Sequence, residues 1–115
     1  IAVNSSLTTA DGNQEEWTLK DEDGNTLDVV TSDIASSTVT FNFTTRAFTV
    51  PAGETKLLKV YGNTQELSSD GDSIQIQLDD DTDTNIGWGI DGTGDYNHAN
   101  IIFKGDLFSG SLIKS

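Results

Sequence analysis

Hydrophobic positions in this chain alternate with polar ones far more often than they recur every third or fourth residue. The cleanest run is Ser73-Ile74-Gln75-Ile76-Gln77-Leu78, with Ile74, Ile76 and Leu78 on one side and Ser73, Gln75 and Gln77 on the other. A period of two is what a strand with one buried face requires. The same rhythm marks Ser37 to Tyr61 as the stretch around which the chain is expected to be organised. There Val39, Phe41 and Phe43 alternate with Thr38, Thr40, Asn42 and Thr44, Ala47–Val50 forms a second short run, and Leu58 and Val60 oppose Lys59 and Tyr61. Pro51 lacks an N–H and has a fixed φ, so it is expected to stop ladder pairing and open a turn through Ala52-Gly53. Strands with one apolar face bury it most readily against another sheet.

The rest of the chain follows suit. Ile1 to Leu7 alternates weakly, as an edge strand or arm. Glu15 to Lys20 places Trp17 and Leu19 on one face, and Asp21-Glu22-Asp23-Gly24-Asn25 reads as a hairpin loop into Thr26–Val30, with Asp-Gly suited to positive φ. Calcium loops use similar acids, but strands on both sides favour the hairpin. Asn63 to Asp72 is a polar loop. Beyond Leu78, Ile86, Trp88 and Ile90 alternate through glycines as a short strand, Ile101–Lys104 forms another, and Leu107–Ile113 closes the domain. No segment sustains helical spacing, and no repeat of fixed period is evident. The expectation is an all-β single domain over residues 1–115, an antiparallel β-sandwich of roughly eight to ten short strands. Its expected interior is Trp17, Leu19, Val29, Val39, Phe41, Phe43, Leu58, Val60, Ile74, Ile76, Leu78, Trp88, Ile101 and Phe103.

Composition narrows the functions. A chain of 115 residues supports one core, and a hydrophobic share of 34% makes that core an economical one. No apolar run approaches the roughly 20 residues of a membrane-spanning helix, and no signal-like segment opens the chain. An opening Ile1 suggests a processed chain or an excised domain. The absence of cysteine removes disulfides and zinc–thiolate sites. A net charge of −13, from 19 acids against 6 bases, repels phosphate backbones and argues against nucleic acid. Divalent cations are the simplest positive partners.

At Phe48-Thr49-Val50-Pro51-Ala52-Gly53-Glu54-Thr55-Lys56, then Leu58 and Val60, then Gly71 to Leu78, the chain resembles immunoglobulin-like modules of large secreted surface proteins of uncultured, candidate-phylum bacteria. Gly87-Trp88-Gly89-Ile90-Asp91-Gly92 through Phe103-Lys104-Gly105-Asp106 fits the same pattern, so the likeness covers about the second two-thirds of the chain. The resemblance implies an immunoglobulin-like sandwich, an extracellular or cell-surface location, and a spacer, adhesive or sheath role beside neighbouring modules or copies of the same protein. It implies no catalytic residues.

Candidate chemistry sits mainly in the acidic stretch. Asp81, Asp83 and Asn85 recur at every second position, as oxygen ligands do in calcium loops, and Asp91 or Asp95 could complete the six to eight oxygens calcium takes. An EF-hand is excluded, because Ile86 occupies the place of the turn glycine and no closing glutamate follows. A solvated acidic loop explains the same residues. His98 stands in a polar loop with no Gly-x-Ser-x-Gly elbow in the chain, which reads as an ordinary loop histidine and not as a triad member. Paired carboxylates for glycoside hydrolysis need a cleft that so small a sandwich is not expected to form, so no enzymatic activity is expected. Tyr61 and Tyr96 are free to form a sugar-stacking platform, whereas Trp17 and Trp88 alternate with core residues of their own strands. The leading expectation is a non-catalytic structural or adhesive module with calcium as a candidate stabiliser. The alternative is a carbohydrate-binding module that takes a glycan.

Overall fold

The computed structural model describes residues 1–9, 12–35, 38–43, 48–78 and 110–115. Among them the fold is all-β with no helix, in two antiparallel sheets of three strands. The strands are β1 (Ala2–Ser6), β2 (Glu15–Asp21), β3 (Thr26–Ser32), β4 (Leu58–Gly62), β5 (Ser73–Gln77) and β6 (Leu112–Ile113). One sheet runs β1-β5-β6 and the other β3-β2-β4. The expected strands at Ile86–Ile90 and Ile101–Lys104, with the interior residues Trp88, Ile101 and Phe103, lie outside the described residues.

The two sheets share a core. Val3 and Ile74 from one and Trp17 from the other join Ile34, Val39 and Leu67 in a single buried cluster, with Phe41, Val60 and Ile76 packed against it. Trp17, at 1% exposure, is among the largest fully buried side chains. Its indole Nε1 donates to the Ser32 carbonyl at 3.1 Å, which satisfies its one polar group. Its six-membered ring lies over the backbone of Gly62, its cross-strand partner on β4.

Several expectations about the interior are corrected by register. Trp17 pairs with Val30 and Thr18 with Val29, so Val30 shares the inward face and Val29, 47% exposed, faces out. A bulge between Leu19 and Lys20 then brings Leu27 inward again on β3. Phe43 and Leu58 are exposed as well. Leu58 belongs to the first pair of the β2–β4 ladder, opposite Asp21 at the hairpin end, beyond the main cluster.

Of the stretch expected to be central, Leu58–Gly62 is the ladder strand β4, whereas the described residues before Pro51 form no ladder strand. Residues 38–43 form a strap between the sheets. Val39 and Ile1 exchange two backbone hydrogen bonds, at 2.9 and 2.7 Å, and the Asn42 amide donates to Asp28 of β3 at 2.7 Å. Val39 is buried and Phe41 half-buried, but Phe43 has left the core and stacks on Phe48 with ring centroids 6.0 Å apart. Alternation here records a segment with one side against the core, without a ladder along it. Residues 48–50 are not a strand either. The turn after them is as expected: Glu54 N donates to Pro51 O at 3.0 Å and Gly53 has φ +81°, the positive value that a type II turn demands at its third residue.

The first strand is no free arm. β1 pairs with β5 over five residues, Ala2 opposite Gln77 through Ser6 opposite Ser73.

Candidate functional site

Of the residues singled out in the sequence as metal ligands, Asp81, Asp83, Asn85, Asp91 and Asp95 all lie outside the described residues, as does Tyr96. Tyr61 is described and stands 51% exposed on the outer face of β4, with Lys20 Nζ 5.1 Å from its ring centroid. Of the acids of the first hairpin, Asp21 is occupied by the turn itself and Glu22 is paired with Lys56. Asp21 Oδ1 accepts from the amides of Asp23 at 3.0 Å and Asn25 at 2.8 Å, and Oδ2 from Asn25 Nδ2 at 2.9 Å, around a Gly24 with φ +86°. This is the hairpin reading of that cluster, an Asx-type loop that consumes its own carboxylate.

The fold assembles a different acidic group. One carboxylate oxygen each from Glu15, Asp33 and Glu66 lie within 4.8 Å of one another. Glu15 opens β2 on its inward face, two positions before Trp17, and is buried at 6% exposure. Asp33 follows the end of β3, brought alongside because Glu15 pairs with Ser32. Glu66, also 6% exposed, comes from the loop between β4 and β5, where Leu67 N bonds Thr64 O at 3.0 Å and Ser68 N bonds Glu66 O at 2.8 Å.

Two of these side chains are fixed by the backbone. Glu15 Oε2 accepts from the Ile34 amide at 2.9 Å, and Asp33 Oδ1 from the Ala35 amide at 2.7 Å. Glu66 Oε2 is sequestered from solvent. Glu15 and Glu66 also line a cavity of about 380 Å³ with Thr9, Asn13, Gln14, Asn63, Gln65 and Ser68. Every lining side chain carries an oxygen, the donor type that hard divalent cations take.

Three carboxylates this close repel. At an effective dielectric constant of about 20, two unit charges 4–5 Å apart interact by roughly 3–4 kcal/mol. A cation among the three relieves that repulsion. Among the described residues, these are the three that could hold a metal ion.

Sequence reasoning passed over all three. Glu15 carried a usable signal, since a period of two puts it on the face of Trp17 and Leu19, where an acid is out of place. Asp33 and Glu66 carried none, because each sits in a polar connector and only the fold brings them to Glu15.

A second buried acid has a structural role. Asp72, 1% exposed, accepts from the amides of Ser69 at 2.8 Å, Thr8 at 2.7 Å and Ser68 at 3.1 Å, while its own carbonyl takes the Lys114 amide at 2.8 Å. It ties the ends of β1, β5 and β6. The Ser69 and Thr8 amides foremost hold its carboxyl below the ordinary aspartate range, against the opposing effect of burial. Lys56 bridges the first hairpin and the β4 approach, at 3.2 Å from Glu22 and 3.8 Å from Glu54, and the hydrogen bond to Glu22 foremost raises its ammonium above the usual lysine value.

No protein-family model matches this chain, and no curated protein or solved structure matches it.

Proposed function

We propose that this chain is a non-catalytic structural or adhesive module, an immunoglobulin-like β-sandwich belonging to a secreted bacterial surface protein. The observation that carries the reading is the single core fed by both antiparallel sheets, Val3 and Ile74 from one and Trp17 from the other. A fully buried tryptophan on the middle strand of a sheet, packed across the interior, is a feature shared by many immunoglobulin-like domains. Load applied to such a module is borne by ladder hydrogen bonds that break together, because the shared core couples the layers. Its partners are neighbouring modules or further copies, and its location is extracellular.

The test is mechanical. Tandem copies pulled end to end are expected to give one force peak per copy, whereas gradual extension without peaks overturns the load-bearing role. Calcium enters the reading as a stabiliser that offsets like charge in an acid-rich molecule. Calcium is then expected to raise the melting temperature, and an unchanged melting temperature removes it. Loss of the effect in Asp81→Ala/Asp83→Ala assigns it to the acidic stretch, and loss in Asp33→Asn assigns it to the Glu15, Asp33 and Glu66 group.

A second reading, carbohydrate binding, is favoured by the exposed Tyr61 on an open sheet face. It predicts glycan binding that Tyr61→Ala abolishes.

A further inference from the structure

The outer face of the β3-β2-β4 sheet holds a combination that the structural role leaves unused. Register sets it: Thr18 stands between Val29 and Tyr61, and Lys20 lies directly opposite Lys59. The chain has 6 basic residues against 19 acids, yet two of the six meet cross-strand here. Like charges directly opposed cost stability. Lys56 nearby has two carboxylate partners, Glu22 and Glu54, but among the described residues neither Lys20 nor Lys59 has one. Glu16, on the same face of β2, is four residues from Lys20, about 13 Å along the strand.

Tyr61 adjoins this pair, with Lys20 Nζ 5.1 Å from its ring centroid. Lys20 reaches the ring from β2, and the Tyr61 side chain remains 51% exposed.

Resting on the carbohydrate reading, we infer that this face binds a glycan carrying a sparse acidic sugar. Tyr61 stacks on the apolar side of a sugar ring, and Lys20 and Lys59 together take one sugar carboxylate. A docked protein fits less well, because among the described residues Val29 is the one aliphatic side chain beside the Tyr61 ring in a face otherwise of hydroxyl and charged groups, and protein interfaces are depleted in lysine at their centres. A densely charged polymer fits less well too, since the net charge of −13 repels it at long range while one carboxylate matches two lysines.

The test is an array of uronic- and sialic-acid glycans at low salt, each beside its carboxyl-reduced counterpart, with calorimetry on the best pair. The acidic form is expected to bind at least about tenfold more tightly than the reduced form. Lys59→Gln removes that margin without lowering the melting temperature, because it also relieves the like-charge pair, and Tyr61→Ala weakens both forms. Equal binding of the two forms, abolished by Tyr61→Ala, overturns the acidic preference and leaves carbohydrate binding standing. Silence across the array overturns both. Low-salt self-association that Lys59→Gln removes, with no glycan bound, overturns the inference and assigns the face to a second copy of the chain.

Discussion

A methyl group placed on Gly62 would stand 2.7 Å from Cζ3 and 2.9 Å from Cε3 of Trp17, closer than carbon atoms pack. The indole is fully buried and held by its bond to Ser32, so it has little room to yield. Gly62→Ala is therefore expected to destabilise the domain by about 1–3 kcal/mol in denaturant unfolding, the usual penalty of overpacking. A smaller ring should restore part of the loss in Gly62→Ala/Trp17→Phe, and simple additivity would show that the two do not meet. Asp72 gives a prediction in pH. Its folded carboxyl titrates below an unfolded aspartate at about 3.9, so its contribution is full above that value and is lost as pH falls through the folded value. Asp72→Asn presents an amide donor to a site that holds three backbone donors, and is expected to melt lower than the native chain at neutral pH. The two melting curves should converge under acid, and a gap constant down to the acid limit would refute the account. Asp33 permits a cleaner substitution, because asparagine keeps the Oδ1 acceptor for Ala35 and removes one charge from the acidic group. In chelator Asp33→Asn is expected to stabilise by roughly 1 kcal/mol at neutral pH, and a loss of stability in chelator would show that charge repulsion does not govern that corner of the fold.

At the scale of the element, register decides which of two adjacent valines matters. Val30 pairs with Trp17 and packs on the core, whereas Val29 pairs with Thr18 and faces solvent. Val30→Ala should cost about 1–2 kcal/mol and Val29→Ala within about 0.5 kcal/mol. The reverse order would put β3 one residue out of register. Local pattern alone could not have made this choice, since Leu27, Val29 and Val30 are all apolar and the bulge resets the phase between them. Where alternation was strict, as in β2 and β5, the inward residues Trp17, Leu19, Ile74 and Ile76 were legible from the sequence. Turn chemistry was legible too, in the Asp21–Asn25 loop and at Gly53. The strap of residues 38–43 was not legible as a strap, because pairing is a property of two segments, and alternation in one of them reports only that a side is buried. The acidic group escaped for the same reason: Glu15, Asp33 and Glu66 come from three separate parts of the chain, joined by the β2–β3 register and the β4–β5 loop.

At the scale of the whole molecule, the question is whether the two sheets are one cooperative unit. No ladder joins β1-β5-β6 to β3-β2-β4 among the described residues, and among these residues the coupling runs through the core cluster and the strap. Those links differ in kind. The strap binds Ile1 through Val39 and Asp28 through Asn42, and thus grips both sheets by backbone groups, while Val3, Ile74 and Trp17 couple them only by excluding water from the same volume. If the shared volume dominates, a lesion in one sheet must loosen the other. Gly62→Ala acts first on the β2–β4 pair, through Trp17, so the decisive readout is amide exchange in β1 and β5. Their slowest amides are expected to speed up by the same factor as those of β2 and β3, because both sets then exchange through one global opening whose free energy the substitution lowers. Acceleration confined to β2, β3 and β4 would mean that the sheets open separately. The shared core would then be a contact between two units, and the load-bearing module would lose its physical basis.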